Sequence, residues 1–524
     1  MPPLQTRHEI LYGGRVVRCF ADRPANIDAM FRAAAAQAGD ATALVLDDER
    51  MTYRDLDRRV TAIASNLLDL GLQPGDRLAL LLGNGFPFVE AVLAAARIGL
   101  IAVPMNTRQR RPEIEFVLNQ CAAAAVICEA EFESHVPPRE AIPSVRFIFV
   151  VGGPDDGYER LRSPAAARDF PQVEEEQPFC LLYTSGTTGK PKGAILTHVG
   201  TIHSILHYTS GFRLGEKDVS VLAVPATHVT GLVAIILTML HARGKVAIMP
   251  QFKARRFLEI AAAERMTYTL IVPAMYNLCL LDPDFASFDL SSWVAAGFGG
   301  APMPGATIER LAEALPNLTL VNCYGSTETT SPATLLPFGA IAAHPASVGR
   351  PLPCADILVL DENGAEVPPG QSGEIHIGGP MVVPGYWDNP EADRSGFVGG
   401  YWVSGDLGAK DADGYVYVFD RKKDMINRAG FKVYCIEVES VLSQHPAVVE
   451  SAVIGKPDPV LGERVHAFIY NEGRTVDAAA IRAYCSERLS DYKVPDGVTF
   501  LDRPLPRNPN GKVLKTALRE MLLR

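Results

Sequence analysis

Residues 181–193 read Leu181-Leu182-Tyr183-Thr184-Ser185-Gly186-Thr187-Thr188-Gly189-Lys190-Pro191-Lys192-Gly193. An apolar run enters this stretch, and a dense cluster of hydroxyl, glycine and lysine residues follows it. Small residues let backbone N–H groups converge on an anion, while Thr, Ser and Lys side chains supply further hydrogen-bond donors. The stretch therefore predicts a loop that binds the phosphates of a nucleotide.

This loop does not have the spacing of a Walker A motif. That motif places four residues between its glycines and Ser or Thr after its lysine. Here two residues separate Gly186 from Gly189, and Pro191 follows Lys190. A plain turn rich in Ser, Thr and Gly is the alternative, but the lysines and glycines of residues 186–193 exceed what a turn needs.

Length and composition restrict the remaining possibilities. A chain of 524 residues is too long for one ordinary core, so two or more domains are expected. The net charge of −10 disfavours a general nucleic-acid binder. Nine scattered cysteines without C-x-x-C spacing indicate neither a zinc site nor a disulfide framework. The charged N-terminus and short apolar runs predict a cytoplasmic protein with no secretion signal and no membrane span.

Helical and strand patterns alternate from the beginning of the chain. Leu56, Val60, Ile63 and Leu67 have helical spacing behind Thr52, a residue suited to a helix N-terminus. Residues 78–82 predict a buried strand, residues 88–98 a helix and residues 101–103 the next strand. A similar series runs from 219 to 324, with a helix predicted over 232–242. This alternation indicates mostly parallel sheets covered by helices.

The pattern changes twice in the second half of the chain. From about residue 351, short strands and tight turns predict a β-rich subdomain. The charged segment Asp420-Arg421-Lys422-Lys423-Asp424 then precedes an α+β unit. We therefore predict an α/β protein with a large domain over 1–420, built from two α/β subdomains and a small β-rich one. Residues 421–524 form a small α+β domain in this prediction.

Four further segments are more specific than packing requires. They combine glycine-rich turns, an aromatic ring, hydroxyls, carboxylates and a turn lysine: Gly297-Phe298-Gly299-Gly300-Ala301-Pro302-Met303-Pro304, Asn322-Cys323-Tyr324-Gly325-Ser326-Thr327-Glu328, Ser404-Gly405-Asp406 and Pro506-Arg507-Asn508-Pro509-Asn510-Gly511-Lys512. With the opening loop, these segments resemble the adenylate-forming (ANL) superfamily, and in particular its acyl-CoA synthetases (AMP-dependent acid–CoA ligases). The likeness extends from about Ala34 to Leu522.

The resemblance implies a reaction in two steps. A carboxylate attacks the α-phosphate of ATP to give an acyl-adenylate and pyrophosphate, and a thiol then displaces AMP. The implied cofactors and co-substrates are ATP, Mg²⁺ and coenzyme A. The residues implied to surround the β- and γ-phosphates are Thr184, Ser185, Gly186, Thr187, Thr188, Gly189, Lys190 and Lys192. The other implied nucleotide- and CoA-binding residues are Gly300, Ala301, Pro302, Asn322, Tyr324, Gly325, Ser326, Thr327, Asp406, Arg421, Lys423, Gly430, Lys432 and Lys512.

Within this set, the resemblance gives several residues separate roles. Tyr324 stacks on adenine with Asn322 near its amine. Thr327 reaches the α-phosphate, and Glu328 with Thr184 holds Mg²⁺ as a hard oxygen ligand. The alternatives are structural, because Tyr324 could pack in the core and Glu328 could cap a helix.

The sugar and the reacting carboxylate have their own implied partners. Asp406 accepts from the ribose hydroxyls, Arg421 donates to the ribose or a phosphate, and Lys512 bridges the acid and the α-phosphate. As alternatives, Asp406 could be a turn residue and Lys512 a solvated surface charge.

The resemblance also implies that the C-terminal domain is mobile and takes two poses, one for each half-reaction. Lys423 occupies the pivot position, and Gly430 lines the tunnel for the pantetheine arm next to Lys432. Two positions depart from the family pattern, because Asp420 and Ala429 both stand where glycine is usual. Neither departure removes a chemical group.

Two segments bear on the identity of the acid. Residues 225–232 contain no carboxylate to pair with an α-ammonium group, and residues 272–277 contain no arginine for a second carboxylate. We therefore expect a fatty or aromatic monocarboxylic acid in an apolar pocket, with His228 linked to thiol access. A satisfied core histidine is the alternative for His228. The expected pocket residues are His228, Val229, Met275, Tyr276, Phe298 and Gly299.

Two other functions stay open at this point. One is an acyl-adenylate ligase that loads the phosphopantetheine of a carrier protein. The other is a non-catalytic nucleotide-binding relative, which the intact Glu328, Asp406, Arg421 and Lys512 disfavour. The expected partners are small molecules, and a homodimer is compatible with the sequence.

Overall fold

The computed structural model describes residues 4–153, 157–166, 168–185, 191–429, 431–507 and 513–522. The chain divides into two compact units. One unit comprises Met1–Met303, Arg310–Ile357 and Ile377–Val403, and the other comprises Pro304–Glu309, Leu358–His376 and Ser404–Arg524. Within the described ranges, no helix has the length and apolar character needed to cross a membrane.

A six-stranded sheet in the first unit carries the predicted phosphate loop. Its strands lie in the order Pro191–Thr197, Pro178–Ser185, Ile101–Pro104, Arg77–Leu81, Ala125–Glu129 and Phe147–Val151. The first pair is antiparallel, and the other neighbours are parallel. Thr184 pairs directly with Lys192 across the antiparallel pair. This register brings the two ends of the loop segment together.

The second sheet of this unit carries the residues predicted to bind the adenine. Its strands are Ser347–Pro351, Thr334–Leu335, Thr319–Tyr324, Ala295–Gly299, Tyr268–Ile271, Val219–Leu222, Lys245–Ile248, Thr42–Leu46 and Glu49–Thr52. Ala295–Gly299 and Thr319–Tyr324 are parallel, with Gly299 opposite Cys323. Ligands of such α/β sheets bind beyond the carboxyl ends of the strands. These two ends are therefore well placed for a nucleotide.

The helices follow the predicted alternation. Thr52 caps the helix Tyr53–Asp69 by accepting from the Asp55 N–H, and Leu56, Val60, Ile63 and Leu67 are buried. The predicted helix at this place is confirmed. The remaining α-helices outside the C-terminal region are Ile27–Gln37, Phe86–Arg97, Arg111–Gln120, Gly157–Arg162, His198–Phe212, Thr238–Ala242, Ala254–Ala263, Pro273–Leu280, Gly305–Ala314 and Pro390–Gly396.

The helix predicted over 232–242 differs in type. Thr230–Leu237 is a π-helix, and an α-helix follows over Thr238–Ala242. The Thr238 hydroxyl donates to the carbonyl of Val233, five residues earlier, at 2.7 Å. A Cβ at Gly231 would lie 2.3 Å from the Pro225 carbonyl oxygen, so this position requires glycine. Periodicity alone predicts the helix but not this wider turn, which results from the close approach of residue 225.

The structure contains an antiparallel hairpin near the N-terminus that the sequence analysis did not predict. Its strands are Thr6–Leu11 and Arg15–Phe20. The connecting residues Tyr12, Gly13 and Gly14 have φ values of 53°, 71° and 142°. Two glycines in the left-handed region are expected in a tight turn, whereas a tyrosine there is strained.

The second unit contains the predicted β-rich and α+β regions. Asp356–Leu360, Gly373–Gly378, Tyr401–Lys410 and Val416–Arg421 are hydrogen-bonded in this order. A separate sheet follows in the order Phe431–Val433, Ile426–Arg428, Gly462–Tyr470 and Glu450–Asp458, and Gly497–Leu501 pairs with Gly462–Tyr470. The helices Cys435–Leu442, Ala478–Ser486 and Lys515–Leu522 accompany this sheet. Its core includes Ile426, Val438, Val465 and Ile481.

Candidate active site

Glu328 lies at the centre of a buried cluster of hydroxyl groups. It belongs to a short turn, Thr327–Thr329, that follows the strand Thr319–Tyr324. The Ser326 hydroxyl donates to Glu328 Oε2 at 2.6 Å, and the Tyr386 and Thr184 hydroxyls donate to Oε1 at 2.9 and 3.3 Å. The residue is 7% exposed. Two sheets and one loop thus bring hydroxyls to a single carboxylate.

The geometry of this cluster suits a hard divalent cation. In the described part of the chain, no Lys, Arg or His forms an ion pair with Glu328. A buried carboxylate ordinarily needs a charged partner. Mg²⁺ is usually held by one or two carboxylates with substrate phosphates and water rather than by a full protein cage. The described residues contain no group of three or more His, Cys, Asp or Glu arranged to hold a metal.

Tyr386 is a contact residue that the sequence-based prediction did not include. Its ring lies 5.2 Å from Lys192 Nζ, and its hydroxyl contacts Glu328. Burial and the Glu328 carboxylate raise the pKa of Tyr386 well above its usual value, so the hydroxyl remains a donor. The neighbouring Trp387 N–H donates to the Gly193 carbonyl at 2.7 Å. Residues 385–387 therefore lie along the strand that carries Lys192.

Part of the predicted phosphate loop falls outside the described residues. Thr184 is half-buried and contacts Glu328, and Lys192 is half-buried beside Tyr386. These two residues are brought together with the carboxylate, as their predicted roles require. The predictions for Gly186, Thr187, Thr188, Gly189 and Lys190, and for the side chain of Ser185, concern positions outside the described set.

The predicted adenine site lies at the ends of two neighbouring strands. Gly300, Ala301 and Pro302 are exposed beyond the strand Ala295–Gly299, and Tyr324 is half-buried at the end of the next strand. A Cβ at Gly299 would lie 2.4 Å from the Cys323 carbonyl oxygen, so glycine permits the close approach of these strands. The exposed glycine turn leaves its backbone accessible.

The remaining residues of this region have defined surroundings. Asn322 is buried and donates through Nδ2 to the Ser347 carbonyl at 3.0 Å. Gly325, Ser326 and Thr327 are half-buried in the turn that precedes Glu328. Thr327 and Glu328 are consecutive, so a group held near one is within reach of the other.

The residues predicted for the acid pocket differ in exposure. Phe298 is 1% exposed and Tyr276 is completely buried, with its hydroxyl donating to the Gly297 carbonyl at 2.7 Å. His228, Val229 and Met275 are half-buried. Phe298 pairs directly with Asn322 on the adjacent strand. This register brings the predicted acid pocket next to the predicted adenine site.

In the second unit, Asp406 and Arg421 form an ion pair. Arg421 Nε lies 2.8 Å from Asp406 Oδ1, and Arg421 Nη1 donates to the Ser404 carbonyl at 2.9 Å. Lys423 and Lys432 are exposed. Gly430 and Lys512, predicted for the tunnel and for the reacting carboxylate, lie outside the described residues.

Asp420 and Ala429, which replace the usual glycines of the family pattern, lie in two different environments. Asp420 is buried and accepts from the N–H groups of Arg421 and Cys435, the latter at the start of a helix. Burial raises the pKa of Asp420, and the ammonium group of Lys515 opposes this shift. Ala429 has a φ of 51°, the left-handed region that glycine occupies more easily.

Comparison with known proteins agrees with this arrangement. Residues 31–387 match the AMP-binding enzyme family, and residues 437–512 match the AMP-binding enzyme C-terminal domain. The chain combines these two matches with α/β sheets and a buried carboxylate among hydroxyls. These features together identify an adenylate-forming enzyme. The protein belongs to the AMP-binding enzyme family.

Relatives and solved structures match over most of their own length. The long-chain-fatty-acid–CoA ligase FadD13 of Mycobacterium tuberculosis is 37% identical over 90% of this chain and 93% of its own. The feruloyl-CoA synthase of an Amycolatopsis species is 35% identical over 91% and 95%. The anthranilate CoA ligase AuaEII, solved with anthranoyl-AMP, superposes with a TM-score of 0.89, at 27% identity over 95% and 97%. The predicted fold class, with a large N-terminal and a small C-terminal domain, is confirmed.

Proposed function

We propose that this enzyme is an AMP-forming acid–CoA ligase. The observation that carries the proposal is the Glu328 carboxylate, which three hydroxyls contact and to which no described cation is paired. This group lies in a chain that matches the AMP-binding family in both its parts. The relatives named above are CoA ligases of fatty and aromatic acids, which supports coenzyme A as the acceptor.

In the first step, an oxygen of the acid forms a bond to the α-phosphorus of ATP. The bond from that phosphorus to the bridging oxygen breaks, and its electron pair leaves with pyrophosphate. Glu328 and Thr184 would hold Mg²⁺, which would neutralise charge on the phosphates. Lys192 and the loop before it position the β- and γ-phosphates, and Lys512 aligns the acid with the α-phosphate.

The orientation of the nucleotide is assigned to the residues that the family resemblance implies. Tyr324 stacks on the adenine, and Gly300, Ala301 and Pro302 form the opposite wall. Thr327 contacts the α-phosphate. The buried Asp406 accepts from the ribose hydroxyls while the ion pair with Arg421 holds its carboxylate in place.

In the second step, the thiol of coenzyme A releases its proton to solvent, and its sulfur bonds to the acyl carbon. The carbon–oxygen bond to AMP breaks, and AMP leaves with the electron pair. We assign thiol access to His228, the pantetheine tunnel to Gly430, and a supporting positive charge to Lys432. A boundary between the domains near 421–423, with Lys423 as the pivot, completes the proposal.

We propose a fatty or aromatic monocarboxylic acid as the substrate. The segments 225–232 and 272–277 contain no Asp, Glu, Lys or Arg, so a second charge on the acid would lack a partner there. Met275 and Val229 are half-buried, Phe298 is buried, and all three side chains are apolar. The fatty and aromatic acids in the relatives' names support the same class.

A screen for AMP release tests this proposal. Purified enzyme is given ATP, Mg²⁺ and a panel of fatty, aromatic, dicarboxylic and amino acids, with and without coenzyme A. We expect rapid AMP release with fatty or aromatic acids when coenzyme A is present. AMP release that requires a pantetheinylated carrier protein, and not free coenzyme A, would contradict the choice of acceptor.

A further inference from the structure

The N-terminal hairpin, residues 6–20, contacts a loop that leads into the Glu328 site. The hairpin precedes residue 31, where the match to the AMP-binding family begins. The contacted loop is residues 380–384, which precede Tyr386. The family match therefore does not account for this contact.

Arg15 holds three consecutive carbonyl groups of this loop. Its Nη1 donates to Val383 at 3.0 Å and to Val382 at 3.4 Å, and its Nη2 donates to Pro384 at 2.9 Å. In the part of the chain that the structure describes, no carboxylate lies within ion-pairing distance of this guanidinium. A half-buried charge that bonds to main-chain carbonyls fixes the loop by its planar geometry.

Arg15 also packs against aromatic rings, one of which contacts Tyr386. The guanidinium lies 5.4 Å from the Tyr12 ring centre and 5.7 Å from that of Phe397. Phe397 in turn packs on Tyr386 with the ring centres 5.6 Å apart. Arg15 therefore contacts both the loop and the ring against which Tyr386 rests.

Tyr12 fixes the beginning of the same loop. Its hydroxyl donates to the Pro380 carbonyl at 2.7 Å and lies 2.9 Å from Thr197 Oγ1, at the end of the strand that carries Lys192. A Cβ at Gly200 would lie 3.2 Å from this hydroxyl and 3.1 Å from the Pro380 oxygen, so glycine leaves the space. The left-handed φ of Tyr12 is a strained conformation of the kind kept at functional positions.

The loop of residues 380–384 also forms hydrogen bonds with the segment that carries Glu328. The Val383 N–H donates to the Glu328 carbonyl at 3.0 Å, and the Thr330 hydroxyl donates to the Met381 carbonyl at 2.8 Å. The Tyr386 hydroxyl donates to the side chain of the same Glu328. The hairpin, the loop and the turn thus form one connected series of hydrogen bonds.

We propose that Arg15 and Tyr12 are positioning residues for the MgATP site. They hold residues 380–384 so that the Tyr386 hydroxyl meets Glu328, and they thereby set the affinity of that carboxylate for metal-bound ATP. This inference rests on the proposed function. A hairpin that only stabilises the fold is the alternative, and it would change the unfolding temperature but not the dependence on Mg²⁺.

The test measures ATP binding by calorimetry at several Mg²⁺ concentrations, without acid or coenzyme A. The variants are Arg15→Lys, which keeps the charge but not the planar fork, Tyr12→Phe and Tyr386→Phe. Arg18→Ala is the matched control, since Arg18 is an exposed arginine of the same hairpin. Loss of a group that supports a metal ligand typically weakens metal affinity by about tenfold or more.

We expect Arg15→Lys and Tyr12→Phe to weaken MgATP binding about tenfold and to raise the Mg²⁺ concentration for half-saturation. Arg18→Ala should bind as the wild type does. Combining Arg15→Lys with Tyr386→Phe should weaken binding by less than the product of the two single effects, because both act on the same carboxylate.

The outcomes separate the inference from the proposed function. Wild-type enzyme that fails to bind MgATP would contradict the proposed function itself. Wild-type binding with equal affinity and equal Mg²⁺ dependence in Arg15→Lys and Tyr12→Phe would overturn the positioning role. The same conclusion would follow if binding fell only in proportion to a lowered unfolding temperature.

Discussion

Asp406 and Arg421 are directly paired residues of two antiparallel strands, and Arg421 Nε lies 2.8 Å from Asp406 Oδ1. The carboxylate side chain is 8% exposed and the guanidinium 37%. A buried carboxylate that forms an ion pair with one cation retains lone pairs for other donors. Vicinal hydroxyls of a ribose are such donors.

We expect Asp406→Asn to weaken ATP binding about tenfold to a hundredfold, since hydrogen bonds to a charged acceptor contribute about 1.5–3 kcal/mol. The readout is the KM for ATP measured beside that for 2′-deoxyATP. Wild-type enzyme should favour ATP, and the variant should lose most of that preference. A preference that is unchanged in the variant would remove Asp406 from the ribose site.

Lys512→Ala should separate the two half-reactions. Adenylate formation should fall by orders of magnitude because the positive charge between acid and α-phosphate is lost. Coenzyme A transfer from supplied acyl-adenylate should stay close to the wild-type rate. Each step is measured by single-turnover kinetics, with Lys456→Ala, an exposed lysine, as the control. Equal loss in both steps would refute the assigned role.

Phe298→Ala should shift the acid profile. Phe298 is fully buried at the end of a strand, so its truncation opens space of the size of an aromatic ring. We expect a higher kcat/KM for longer or bulkier acids relative to shorter ones. The ratio across an acid panel is the readout, because it does not change if the variant merely loses stability. An unchanged ratio would place Phe298 outside the pocket.

Three buried histidines predict a loss of stability in mild acid. His198, His203 and His207 accept backbone N–H groups of Ile27, Phe20 and Cys354. Burial lowers the pKa of these histidines to about 3, 4 and 3. Their folded pKa lies below the unfolded value of about 6.5, so the unfolded chain binds more protons below pH 6.5.

The stability that these histidines contribute is therefore complete above pH 6.5 and falls as the pH decreases toward 4. Each histidine should cost about 1 kcal/mol of unfolding free energy one pH unit below 6.5. Urea midpoints at pH 7.5 and 5.5 measure the change. His207→Gln, which keeps an acceptor, should remove the contribution of one histidine, about 1 kcal/mol between these two pH values. A variant with the full wild-type pH dependence would contradict this explanation.

Local patterns predicted much of the fold, and contacts between distant segments account for what was not predicted. Thr52 and the spacing of Leu56 to Leu67 gave a helix whose observed range is Tyr53–Asp69. The π-helix depends on the approach of Gly231 to Pro225, which periodicity does not encode. The buried histidines bond to residues more than 140 positions away in the chain, so spacing gives no sign of them.

In the candidate site, too, local motifs were predictable and contacts between distant segments were not. Thr184, Glu328 and Lys192 lie in motifs with unusual composition, and the structure brings them together. Tyr386 is a single tyrosine 58 residues from Glu328, and Arg15 and Tyr12 lie farther still. Only the folded chain shows that Tyr386 reaches the carboxylate and that Arg15 and Tyr12 bond to the loop before it, because hydrogen bonds of this range have no local signature.

ATP–pyrophosphate exchange without coenzyme A measures whether this enzyme joins an acid to AMP at the Glu328 site. We expect exchange that requires both Mg²⁺ and a fatty or aromatic acid, and a reduction of about a hundredfold or more in Glu328→Gln. Wild-type enzyme that shows no acid-dependent exchange across the panel, or Glu328→Gln that exchanges at the wild-type rate, would contradict the claim.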